Sequence, residues 1–293
     1  MDSPVEQFRA ALADAGVILA ADVRIVADGQ LHRAKTQADK PHQLSAWYRL
    51  HLDAPIAGVG GDWRTGARVT WCSKRPERLT PAEREALHQR IEADRRRAQE
   101  AQEARHRAAA QRAARVWADS KPADAGHQYL RRKGIGPSIA RESRGSLVLP
   151  VLDFSGALHG LQFIAPDGSK RFLAGMRKAA CFIPTGGLPD GSRPLWICEG
   201  HATASTIQAM RPSVCIIAAL DAGNLKAVAT EARRRWPSLE IVICPDFDAV
   251  GCQKGQEAAE AARAKILPPP AEVPAGCTDW NDVAAQRRGV RHG

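Results

Sequence analysis

The chain has 293 residues, 44% hydrophobic and 25% charged, which is ordinary globular usage and enough length for about two domains. Lysine and arginine number 42 against 32 acids, giving +10, and such a surplus favours a polyanionic partner because each neutralised phosphate releases counterions. No apolar stretch is long enough for a bilayer, the first ten residues hold no apolar signal core, and the seven cysteines form no CxxC pair, so membrane, secreted and zinc-ribbon classes are not expected. An odd count of unpatterned thiols, several inside apolar runs, fits a reducing cytoplasm.

Four regions separate by composition. Residues 1–78 read as a small α+β module: a helix over 5–15 that stops at Gly16, then strands over 30–35, 46–53 and 68–73, with Gly58, Gly60 and Gly61 as punctuation. Its Trp47, Tyr48, Trp63, Arg64 and Trp71 suit either core packing or stacking on single strands. Residues 79–121 form a long basic helical linker. Thr80 is placed as N-cap, Pro81 in the first turn and Glu83 completing a capping box, and neither glycine nor proline follows until Pro122. If continuous, it spans about 60 Å at roughly 1.5 Å per residue. Residues 122–194 hold a short helix over 127–133 and two strands, 146–153 and 157–165, around a turn at Ser155 and Gly156.

Residues 195–293 alternate apolar runs with helical patterns. Strands are expected over 195–198, 214–220 and 239–244, and helices over 201–210, 224–236 and 254–265. This order implies an α/β fold with a parallel sheet flanked by helices. Sites in such sheets lie beyond the C-terminal strand ends. Glu199 follows the first strand; Asp246 and Asp248 follow the third, where alternation in extended backbone lets both point the same way. Taken singly, a Glu-Gly is a turn and an Asp-Phe-Asp is a loop or helix cap. Together they form a carboxylate cluster that calls for a hard divalent cation.

Ile197-Cys198-Glu199-Gly200 followed by Ile243-Cys244-Pro245-Asp246-Phe247-Asp248 resembles the Toprim domain of bacterial primases, topoisomerases and some nucleases. The turn from Ala219 to Leu225 resembles the middle Toprim loop of plasmid and phage primases, and Thr278-Asp279-Trp280-Asn281-Asp282-Val283 resembles the element that follows the domain there. Upstream, Tyr129 to Ile135, Leu149 to Gln162 and Lys170-Arg171-Phe172-Leu173 resemble, in order, segments of the DnaG-type primase core. Thr203 and Asn281 stand where that family has aspartates, and the zinc ribbon is missing.

The resemblance implies a primase that makes short RNA primers on a single-stranded DNA template from nucleoside triphosphates, in plasmid or phage replication. Glu199, Asp246, Asp248 and Asp279 are then the ligands of magnesium or manganese, with no zinc. Glu199, Asp246 and Asp248 are the catalytic residues. Arg131, Arg132, Lys133, Lys170, Arg171, Lys226, Asn281 and Asp282 are the candidates for nucleotide or template contact. The run Arg131 to Lys133 reads equally as a solvated helix face, and Lys226 as a surface lysine. No G-x-x-x-x-G-K-[ST] string occurs, so a separate helicase or initiator is the expected partner. A Toprim nuclease and a non-enzymatic DNA-binding regulator are the alternatives.

Overall fold

The computed structural model describes residues 2–290, with side chains described through residue 287. The chain forms two compact units that divide between Glu100 and Ala101.

In the first unit, α1 (Pro4–Asp14) begins at Ser3, whose side chain accepts the Glu6 N–H, and ends before Gly16 at φ 83°. Four antiparallel strands follow in spatial order β1 (His32–Ala34), β2 (Ala46–His51), β3 (Ala57–Asp62) and β4 (Arg68–Cys72). The glycines expected to break the chain instead form β3. A Cβ at Gly58 would lie 2.8 Å from the Phe8 ring, and one at Gly60 would lie 2.6 Å from Leu12. Their lack of side chains lets α1 sit directly on the sheet. Phe8 and Leu12 are fully buried there, each worth about 1.5–3 kcal/mol of apolar transfer.

Helix α2 (Pro81–Asp119) belongs to both units. Its start is the expected capping box: the Glu83 N–H donates to Thr80 Oγ1 at 3.2 Å, and the Thr80 N–H donates to Glu83 Oε2 at 2.9 Å. Asp94 holds its first half to the sheet, forming an ion pair with Arg49 Nη1 at 2.9 Å and lying 2.8 Å from His51 Nε2.

The second unit contains two sheets. One is antiparallel: β5 (Lys121–Pro122), β6 (Arg141–Ser143), β7 (Ser146–Leu152), β8 (Leu158–Ile164) and β9 (Lys170–Phe172), in that spatial order. Ala113, near the end of α2, packs on its Val148 and Leu161. The short helix α3 (Gln128–Lys133) precedes β6 and closes with Gly134 at φ 61°. The other sheet comprises β10 (Ile183–Pro184), β11 (Leu195–Cys198), β12 (Cys215–Ala218), β13 (Ile241–Cys244) and β14 (Lys265–Ile266). Its order is β10-β12-β11-β13-β14, parallel except for the antiparallel edge strand β10. Helices α4 (His201–Met210), α5 (Ala222–Arg235) and α6 (Ala249–Ala262) connect its parallel strands, and α7 (Trp280–Val290) follows β14. β12 and β13 are buried at every position, as expected for strands covered on both faces. Among the described residues no helix is long and apolar enough to cross a membrane.

Candidate active site

The central strands end level. Cys198 pairs with Ala218 on one side and Cys244 on the other. The residues that follow therefore leave the sheet along one edge: Glu199 after β11, Asp221 beyond β12, and Asp246 and Asp248 beyond β13. The strand itself ends at Cys244. Asp248 is the N-cap of α6, its Oδ1 accepting the Gly251 N–H at 2.6 Å. Cap geometry thus fixes the direction of Asp248. It also starts α6 five residues earlier than expected, at Ala249 instead of Lys254.

Glu199 is 8% exposed, and its Oε1 accepts the Asp246 N–H at 3.0 Å. This bond ties the end of β11 to the end of β13. Gly251 completes the close approach, because a Cβ there would lie 2.7 Å from both Asp246 O and Glu199 Oε1. Burial pushes the Glu199 carboxyl up, the Asp246 N–H pulls it back, and Asp248 and Asp221 add to the rise. The effect is larger at Asp246. Burial first, then Glu199, Asp279 and Asp248, push its carboxyl up to about 7 against the pull of Lys170. Asp246 Oδ1 is buried without a hydrogen-bond partner among the described residues.

Asp279 arrives on a loop stitched to the Asp246 loop. The Phe247 N–H donates to Thr278 O at 2.8 Å, and the Phe247 and Trp280 rings meet edge to face at 5.6 Å. Asp279 Oδ1 accepts the Asp282 N–H at 2.8 Å at the start of α7. After burial, Asp279 is also the charge that raises Tyr129 to about 12. Among the described residues no group of three or more His, Cys, Asp or Glu side chains is gathered closely enough to hold a metal ion. The arrangement is an open edge of hard oxygen donors with one orphaned carboxylate oxygen. That suits a cation such as magnesium, which takes one or two carboxylates and completes its shell with water and substrate phosphate.

A family model described as a Toprim domain matches residues 194–289. The chain is a Toprim-domain protein. Its similarity to primases runs further upstream. Two curated relatives, each a DNA primase TraC of Escherichia coli, are 33% identical to it, one over 282 residues (91% of this chain, 26% of the relative) and the other over 276 (89% and 19%). The chain thus spans about a quarter or less of the length of these relatives. Among solved structures, the primase fragment of the bacteriophage T7 primase-helicase protein aligns with a TM-score of 0.44 at 15% identity, covering 59% of this chain and 78% of that one.

The basic candidates around the Toprim edge are placed differently from one another. Lys170, at the start of β9, is open to solvent, yet its ammonium lies in the field of the acidic edge. Desolvation and then Lys133 lower its pKa, while Asp246 and Asp279 oppose this. Lys133 Nζ donates to Asp282 Oδ1 at 3.0 Å, and Asp282 Oδ2 also accepts the Thr278 N–H and hydroxyl. Arg131 is exposed on the last turn of α3. Arg132 reaches Pro166 O at 3.0 Å and lies over the Tyr129 ring. Arg171 lies 4.7 Å over the Phe163 ring. Lys226 is exposed on α5, where it acts on Glu257. Asn281 is fully buried, its Nδ2 donating at 2.8 Å to both Lys133 O and Thr206 Oγ1, so it joins α7 to α3 and α4.

Four further residues shape this edge, of which Asp221 lies in the turn from Ala219 to Leu225. Asp221 caps α5, pairs with Lys178 at 3.1 Å and raises Glu199. The rule that sites follow the C-terminal ends of strands points to it as directly as to Glu199. Lys178 and Gly251 carry no local signal. His201, beside Glu199-Gly200, is 2% exposed; burial and then Lys170 push it down to about 4.

Proposed function

We propose that this protein is a primase that joins ribonucleotides on a single-stranded DNA template at the edge formed by Glu199, Asp246, Asp248 and Asp279. The observation that carries the reading is Asp246: a half-buried carboxyl pushed to about 7 by burial first and then by three other acids, with an orphaned oxygen. Repulsion of this kind costs stability, and a cation relieves it. Asp246, Asp248 and Asp279 would hold magnesium or manganese. Once bound, the ion supplies charge neutralisation at the reacting phosphate and acidifies the attacking hydroxyl.

The remaining roles belong to the chain's own groups. Glu199 keeps Oε1 on the Asp246 N–H. Its other oxygen joins the metal shell or receives the proton of the attacking 3′-hydroxyl. Lys170, on the antiparallel sheet and in the field of Asp246 and Asp279, would hold triphosphate oxygens. Arg131, Arg132, Lys133 and Arg171 carry positive charge along the template side, and Lys226 adds charge from α5. Asn281 and Asp282 keep α7 and Lys133 in position.

The test supplies single-stranded DNA, four ribonucleotides and magnesium or manganese. Short RNA products that vanish in Glu199→Gln and Asp246→Asn support the proposal. Shortened DNA without RNA identifies a nuclease that turns the same acids on water. Tight DNA binding with neither product identifies a regulator.

A further inference from the structure

We propose that the open face of the first unit's sheet is a stacking platform for single-stranded nucleic acid. The four strands bring Arg33, Trp47, Gly61 and Arg68 into one row, paired in register across β1 to β4. Alternation puts this row on the face opposite Tyr48 and Gly60, which α1 covers. Gly61 makes room in the row: a Cβ there would lie 2.9 Å from Trp47 Cζ2 and Nε1, so the indole reaches over it. Trp63, just past β3, lies 5.5 Å from Trp47 and is 63% exposed. Arg33 lies 5.9 Å over the Trp63 ring, and Arg68 lies 5.9 Å over the Trp47 ring.

The loop that presents Trp63 is fixed. The Trp63 N–H donates to Ser45 O at 3.1 Å. Asp62, 2% exposed, accepts the Arg64 N–H at 2.7 Å, and Gly66 closes the turn at φ 76°. The string Gly60-Gly61-Asp62-Trp63-Arg64-Thr65-Gly66 thereby acquires a job, which is to hold one indole outward beside another. The rest of this face is occupied. Helix α2 is anchored over Arg49 and His51 by Asp94, and Arg90 binds the carbonyls of Asp53, Ala54 and Pro55. The other aromatics, Tyr48 and Trp71, pack on Phe8 on the closed side.

Two indoles at an open sheet face, ringed by the exposed Arg33, Arg64 and Arg68, match the chemistry of an unpaired strand. Bases offer π-faces to the rings, and phosphates take the guanidinium charge. A duplex hides its base faces, and an acidic peptide has none to stack. This platform lies in a different unit from the carboxylate edge and stands whether or not that edge makes primers.

The test is a binding titration of the full chain with labelled oligo(dT) in EDTA, which silences the metal-dependent site. Trp63→Ala should weaken binding roughly tenfold or more, the loss of about one stacked base. Trp63→Phe, which keeps a stacking ring, should bind within about threefold of the parent. Arg68→Glu should weaken binding and flatten its salt dependence by about one unit of log–log slope or more. Thermal unfolding should be unchanged in all three. Parent-like oligo(dT) binding by Trp63→Ala, or an equal loss for duplex and single strand, would overturn the platform.

Discussion

Replacing Asp246 by asparagine should make the protein more stable and, on the proposed function, inactive. The side chain keeps its size and loses its charge. Raising a carboxyl from 3.8 to about 7 corresponds to about 4 kcal/mol, at about 1.4 kcal/mol per tenfold change in proton affinity. Solvent access at the edge reduces the realised value to about 2 kcal/mol. The folded protein holds this proton more tightly than the unfolded chain does. The wild type therefore loses stability as pH rises from about 4 to about 7, and the full penalty persists above that. In EDTA at pH 8, Asp246→Asn should melt about 4–8 °C above wild type, and the gap should shrink as pH falls toward 4. Magnesium should reverse the order. It stabilises only the chain that binds it, by about 2.7 kcal/mol at a hundredfold excess over Kd. A variant no more stable than wild type at pH 8, or magnesium raising both melting temperatures equally, would refute the repulsion on which the metal assignment rests.

Asp248 caps α6 and, on the proposed function, holds metal, two jobs that substitution can separate. Asn caps a helix as well as Asp and eases the repulsion on Asp246, so Asp248→Asn should melt no lower than wild type and lose primer synthesis, whereas Asp248→Ala should fall about 1 kcal/mol below Asp248→Asn in denaturant unfolding. Gly251→Ala would ordinarily stabilise a helix by about 0.5–1 kcal/mol; here the methyl meets Glu199 and Asp246, so both stability and activity should fall. Asn281→Ala should cost about 1–3 kcal/mol by urea unfolding, because the Lys133 carbonyl and Thr206 hydroxyl lose a buried donor.

The Toprim sheet is legible from sequence because its strands are short apolar runs buried on both faces and its helices stop where the chain announces it. Helix α4 occupies residues 201–210 as read, before Pro212, and α5 ends before Pro237. The capping box of α2 is equally local. Three features needed long-range contacts instead. The β3 glycines look like breakers until Phe8 and Leu12 are packed on them. The start of α6 is masked by Gly251, a poor helix former kept small by two distant groups. The antiparallel edge strand β10 has only two residues, too few for any periodicity. At the candidate site, the motif acids stand out because strand ends are informative. The Glu199–Asp246 backbone bond and the buried His201 depend on how chain segments meet, which no spacing encodes.

The stitch between the Phe247 loop and Thr278 also makes the acidic edge depend on a segment beyond the sheet. Asp279 lies downstream of β14, so the sheet can form with the Glu199, Asp221 and Asp246–Asp248 loops in place before the Asp279 loop docks on them. Until the Phe247–Trp280 contact closes, the unfinished edge carries less negative charge and has less to gain from a cation. On the proposed function, capture of an ion would then be gated by the docking of α7.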